Sequence, residues 1–190
     1  WLPAGALATC VAAPYAIACA LAGLVGVQRL VARWTPASQL AQQAALVVLA
    51  GAATWLVAHR AGYALLGIPP LLVLLTAAHF HVAGCFLAIA IGWAAHERSL
   101  PAQLAALGCV LGVPLTAIGI AWSHGVEVVA GVWMAASGLA AAIVLATTRA
   151  LLLRLAALPL AAGMVLAALY ALRDHGTAIT AVIEGSAMVV

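Results

Sequence analysis

Apolar stretches of about 20 residues follow one another along almost the whole chain, and nothing constrains its fold more. A helix rises 1.5 Å per residue, so about 20 apolar residues cross the roughly 30 Å hydrocarbon layer of a membrane. Gly5–Leu30, Leu40–Ala58, Pro70–Trp93, Gln103–Trp122, Val126–Leu145 and Ala150–Leu172 each meet that length. Thr177–Val190 is a shorter seventh run of 14 residues. Pro14 is expected to kink the first helix. A soluble fold is excluded, because 68% of the 190 residues are hydrophobic, 6% are charged, and the mean hydropathy is +1.24. Too few polar side chains remain to cover a surface. The expectation is one all-α domain over residues 1–190, a polytopic transmembrane bundle of about seven spans.

Charge and aromatic residues refine that picture. Trp34, Trp55, Trp93 and Trp122 stand near span ends, as an interfacial belt requires. All seven cationic residues are arginines. Arg29, Arg33, Arg98, Arg149 and Arg154 fall at one set of ends, Arg60 and Arg173 at the other. The positive-inside rule makes the first set cytoplasmic and places the N-terminus outside, in a bacterial plasma membrane. Arg154 lies just within the sixth span and can snorkel to the interface. No basic run suits nucleic acid. Cys10, Cys19, Cys85 and Cys109 lack C-x-x-C spacing and read as small buried hydrophobes. Trp1–Leu30 is too long, and too poor in N-terminal positive charge, for a cleaved signal peptide. Gly108-x-x-x-Gly112 permits close approach of two helices within the bundle.

Against this background His79-Phe80-His81 stands out, because ionisable side chains at membrane depth are costly unless partnered or facing a cavity. Residues i and i+2 point about 200° apart on a helix. The two imidazoles are therefore expected to face different neighbours rather than share a metal ion, and no metal site is assigned. His59, His124, Glu127, Asp174 and His175 fall near the outer ends of the expected spans, and Glu184 lies within the seventh. A polar cavity opening outward and ending at the histidines would account for that asymmetry.

Glu184 is flanked by alanine, valine and isoleucine, so desolvation would keep its carboxyl protonated as a general acid. Glu127, nearer the interface, serves as a second carboxyl, with His79 and His81 completing the catalytic set. Phe80, Trp55, Trp133, Tyr170 and His124 are the candidate substrate-binding residues, the aromatic rings offering π faces to a carbocation. No cofactor is implied. The partners expected are a lipid-soluble small molecule and membrane lipids.

Three resemblances bear on this. His-Phe-His also occurs in the catalytic subunit of haem-copper oxidases, but the adjacent His-His pair and the other ligand helices of that family are missing. The strings Leu75-Thr76-Ala77-Ala78-His79-Phe80-His81-Val82-Ala83-Gly84, Gly112-Val113-Pro114-Leu115-Thr116-Ala117-Ile118-Gly119-Ile120 and Met164-Val165-Leu166-Ala167-Ala168-Leu169-Tyr170 resemble the YndJ-like bacterial integral membrane proteins over most of the chain. Cys85 intervenes here before Phe86, where that family usually has the phenylalanine directly. That resemblance implies a multi-pass architecture and transport of a small solute, proton or metal ion. In size and chemistry, though in no shared motif, the chain is also similar to membrane-bound meroterpenoid-type terpene cyclases. That similarity implies an isomerase or lyase working by protonation of an isoprenoid. Absence of a D-D-x-x-D motif argues against ionisation of a diphosphate. The acid-initiated enzyme is the favoured expectation, with the transporter as its alternative.

Overall fold

Alanine and glycine hold most of the buried positions among the described residues of this protein, while many leucines and valines are exposed. The computed structural model describes residues 2–32, 37–94, 100–122 and 124–187, without the side chains of 37–38, 117, 120–122, 124, 170–172 and 174–187. Its elements are helices α1 (Ala6–Ala32), α2 (Ala37–Ala61), α3 (Pro70–His79), α4 (Leu87–Ala94), α5 (Leu100–Trp122), α6 (His124–Thr147) and α7 (Leu151–Ala187). A π-helical segment, Phe80–Phe86, joins α3 to α4, and a 3-10 turn occupies Leu65–Gly67. No strand occurs among the described residues.

Among the described residues, five helical segments are long and apolar enough to cross a membrane: Ala6–Ala32, Gln39–Ala61, Pro70–Ala94, Gly125–Thr147 and Leu151–Leu169. The described apolar part of α5, Leu100–Thr116, is shorter. Burial follows the logic of a lipid solvent. Tails of lipid are as apolar as leucine, so helices associate through close packing of small residues rather than through a hydrophobic drive. Ala41, Ala45, Ala52, Ala77, Ala105 and Ala141 are buried, whereas Leu7, Val31, Leu72, Phe86 and Leu152 are exposed.

The chain divides into two compact units, Trp1–Arg98 and Ser99–Val190. In the first, α2 packs against α1 and against the continuous segment from α3 to α4. Contact between α1 and α2 is close because Gly23 faces Ala50 and Gly26 faces the carbonyl of Gln43. The matched positions rise along α1 as they fall along α2, so the two helices are antiparallel. The Gly5 amide donates to the Arg60 carbonyl at 2.8 Å and ties the start of α1 to the end of α2. Gly62 and Gly67 both adopt φ of +73°, where a side chain would be strained, and turn the chain toward Pro70 at the start of α3.

The second unit is a meander of α5, α6 and α7, with α6 packed on both others. Gly108 faces Ser137, Gly112 faces Met134 and Gly119 faces the backbone of Glu127. The Gly108-x-x-x-Gly112 spacing thus brings two antiparallel helices of one unit together. Gly138 of α6 gives the same room to Met164 of α7. Where the sequence suggests a break around Arg173-Asp174-His175-Gly176, α7 instead runs unbroken for 37 residues. No proline stands there to remove a backbone donor, and a lone glycine costs a helix only about 1 kcal/mol.

Candidate functional site

Tyr15 and His81, 66 positions apart, meet inside the first unit. Tyr15 lies nine residues into α1, roughly 14 Å along it, and His81 eleven residues beyond Pro70, roughly 17 Å along the third apolar segment. Both therefore sit near the middle of helical segments long and apolar enough to cross a membrane. Tyr15 Oη and His81 Nε2 are 2.6 Å apart, and the rings stack with centroids 5.8 Å apart at 23°.

The other ring nitrogen fixes the direction of that bond. His81 Nδ1 lies 2.6 Å from the carbonyl of Ala77, which can only accept. Nδ1 therefore carries the hydrogen, and in the tautomer this leaves, Nε2 accepts from the Tyr15 hydroxyl. The result is a directed relay from Tyr15 Oη through the imidazole to a backbone carbonyl. Both nitrogens of this mid-span histidine are satisfied, as the cost of an unpaired polar group in hydrocarbon demands.

The local backbone suits the relay. The Ala77 carbonyl accepts from the Phe80 amide and also meets the His81 side chain. A side chain that competes for a carbonyl in this way loosens the ladder. From Phe80 to Phe86 the helix is wound with π spacing, and the Leu87 amide bonds the carbonyl of Val82, five residues back. Such π segments inside α-helices frequently accompany functional sites. Phe80 lies beside Gly51 of α2, where an added Cβ would stand 3.8 Å from the ring. One turn past Tyr15 is buried Cys19, and four residues past His81 is buried Cys85, packed with Ala45 and Ala88. Cys109 is likewise buried and all four cysteines are free, but Cys10 is exposed, contrary to its reading as a buried hydrophobe.

The remaining candidates separate. His79 is exposed, two residues from its partnered neighbour, so the two histidines do have different surroundings. Trp55 is half-buried in α2 of the same unit. Trp133 belongs to the second unit, where its indole Nε1 donates to the Gly108 carbonyl at 3.2 Å, and Ser137 Oγ donates to the Trp133 carbonyl at 2.7 Å. Glu127 is exposed in the first turn of α6, at the favourable end of the helix dipole. Glu184 and Tyr170 lie on α7 and His124 begins α6, but their side chains fall outside the described residues. Among the described residues no group of three or more His, Cys, Asp or Glu is placed to hold a metal ion. Tyr15 was not among the residues singled out from the sequence, although a phenol in the middle of an apolar span is itself a signal.

No curated protein and no solved structure matches this chain. A family model does, along residues 1–189, and with helices fit to span a membrane it fixes the chain's kinship: it belongs to the family described as YndJ-like protein.

Proposed function

We propose that this is a multi-pass protein of the bacterial plasma membrane, N-terminus outside, that acts on an apolar isoprenoid or related lipid by acid-initiated cyclisation or isomerisation. The observation that carries this reading is the Tyr15–His81 relay at mid-membrane depth, where a lipid-soluble molecule would arrive from the side. Tyr15 is 41% exposed, so the residue belongs to an accessible surface rather than a closed core. In the proposed cycle a protonated carboxyl, Glu184 with Glu127 in support, delivers a proton to a substrate double bond. The cation so formed rearranges and gives a proton back to the carboxylate, which restores the acid for the next turnover. One proton enters and one leaves, so the reaction needs neither oxidant nor cofactor.

Conversion of a cyclisable polyprenyl substrate by purified protein tests this. Loss of a positioned general acid in Glu184→Gln should lower turnover by about 100-fold or more. Unchanged turnover in folded Glu184→Gln would move the acid elsewhere. Proton or metal transport by reconstituted protein, without conversion of any lipid, would refute the enzyme. Cysteine labelling at Thr35 and Ser99 tests the orientation, with cytoplasmic reactivity expected and outward reactivity overturning it.

A further inference from the structure

In the second unit a groove of about 410 Å³ runs between α6 and α7. Its size falls in the range of about 300–1,000 Å³ typical of small-molecule sites. Ala142 and Ala146 of α6 and Ala157 and Ala161 of α7 line it. Each pair is four residues apart, so each lies on one face of its helix. Ala142 and Ala157 are buried at the bottom, while Leu158 is exposed at the rim. The single charged lining residue is Arg154.

Arg154 is a misfit as the protein stands. It lies in the first turn of α7, where the helix dipole disfavours a cation, and that turn contains no acidic residue. Its side chain has no hydrogen bond or ion pair among the described residues. Arg149, exposed in the link between α6 and α7, adds a second cation at the same end. The first amides of α7 point the same way, as free donors at a helix start do. All these features call for one negative charge, held just where two successive apolar spans reach the interface.

The groove continues from that point in the other direction. From Arg154 to Ala161 is seven residues, so it extends roughly 10 Å toward the bilayer centre. Every lining residue below Arg154 is apolar. A charge at the interface with an apolar trough descending from it is the outline of an amphiphile with an anionic head and a hydrocarbon tail.

We propose that this groove is a binding site for an anionic membrane phospholipid, its phosphate held by Arg154 and the start of α7, and one acyl tail seated between α6 and α7. The site is independent of the enzymatic reading, because it involves none of the residues assigned to that chemistry. It is also independent of which side of the membrane the link occupies.

Native mass spectrometry of the purified full chain tests this. Three probes are used: dioleoyl phosphatidylglycerol, dioleoyl phosphatidylcholine and glycerol 3-phosphate. The parent should retain one phosphatidylglycerol at least about 10-fold more tightly than phosphatidylcholine, since a charge-assisted contact distinguishes them. Arg154→Gln should abolish that preference, and Arg154→Lys should keep most of it. Ala161→Phe, which fills the trough and leaves the arginine in place, should weaken phosphatidylglycerol retention by a similar factor. Glycerol 3-phosphate should not compete, having no tail. Equal retention of the two lipids by the parent protein would overturn the proposal without any variant. A parental preference in Arg154→Gln, undiminished retention in Ala161→Phe, or full competition by glycerol 3-phosphate would each overturn it too.

Discussion

Replacing Gly119 with alanine would add one methyl group where α5 crosses the start of α6. A Cβ there would overlap Glu127 Cα and lie 2.5 Å from the Glu127 amide nitrogen. Both atoms are backbone, so no rotamer change can relieve the overlap. Contacts below 3.0 Å are essentially never seen, so the helices must part by at least ~0.5 Å. A gap of 0.5–1 Å forfeits about a quarter to a half of the dispersion energy of each contact across it. Overpacking of this kind costs about 1–3 kcal/mol, and the better helix propensity of alanine returns at most about 1. The net loss centres on about 1–2 kcal/mol, which for a chain of this length lowers Tm by roughly 2–8 °C.

The chain's tryptophans provide the signal for a fluorescence melt in detergent micelles. Gly163→Ala is the control, because no atom lies within 4 Å of its added Cβ and it sits inside α7. That variant should melt at or slightly above the parent. If Gly119→Ala melts at or above the parent, or Gly163→Ala loses as much as Gly119→Ala, close glycine packing does not hold the second unit together.

Three further outcomes are expected. In Gly108→Ala the new Cβ would collide with Ser137 Oγ, so thermal melting should fall, and adding Ser137→Gly should restore much of the loss. Tyr15→Phe leaves His81 Nε2 without its donor in an apolar setting and should cost about 1–3 kcal/mol, read as a lower Tm in micelles. His81→Gln should destabilise the first unit more than His79→Gln, since His81 bonds both Tyr15 and Ala77 while His79 is exposed; equal melting of the two variants would contradict this.

Much of the architecture was legible because a lipid solvent imposes a one-dimensional rule. Every backbone polar group must be satisfied within its own segment, so apolar length alone marks the helices. The expected second, third, fifth and sixth runs overlap α2, the α3–α4 segment, α6 and the first part of α7. The Gly108-x-x-x-Gly112 spacing was readable for a related reason, since only a missing side chain lets two helices come that close.

Other features depended on which helix lies beside which. Membrane helices are apolar on all sides, so no hydrophobic stripe reveals their inward face. The histidine spacing showed that His79 and His81 would differ, but not that His81 would find Tyr15 across 66 residues. The continuity of α7 through Arg173 and Gly176 was hidden because polar residues signal a loop in a hydropathy profile yet remain compatible with a helix. Arg154 reads from sequence as a snorkelling residue. Only the placement of α7 beside α6, with Ala142, Ala146, Ala157 and Ala161 lining the space between them, puts an apolar trough beneath its charge. Local composition thus determined the segments, while lateral contacts between small residues, each of little energy alone, decided which polar groups would meet.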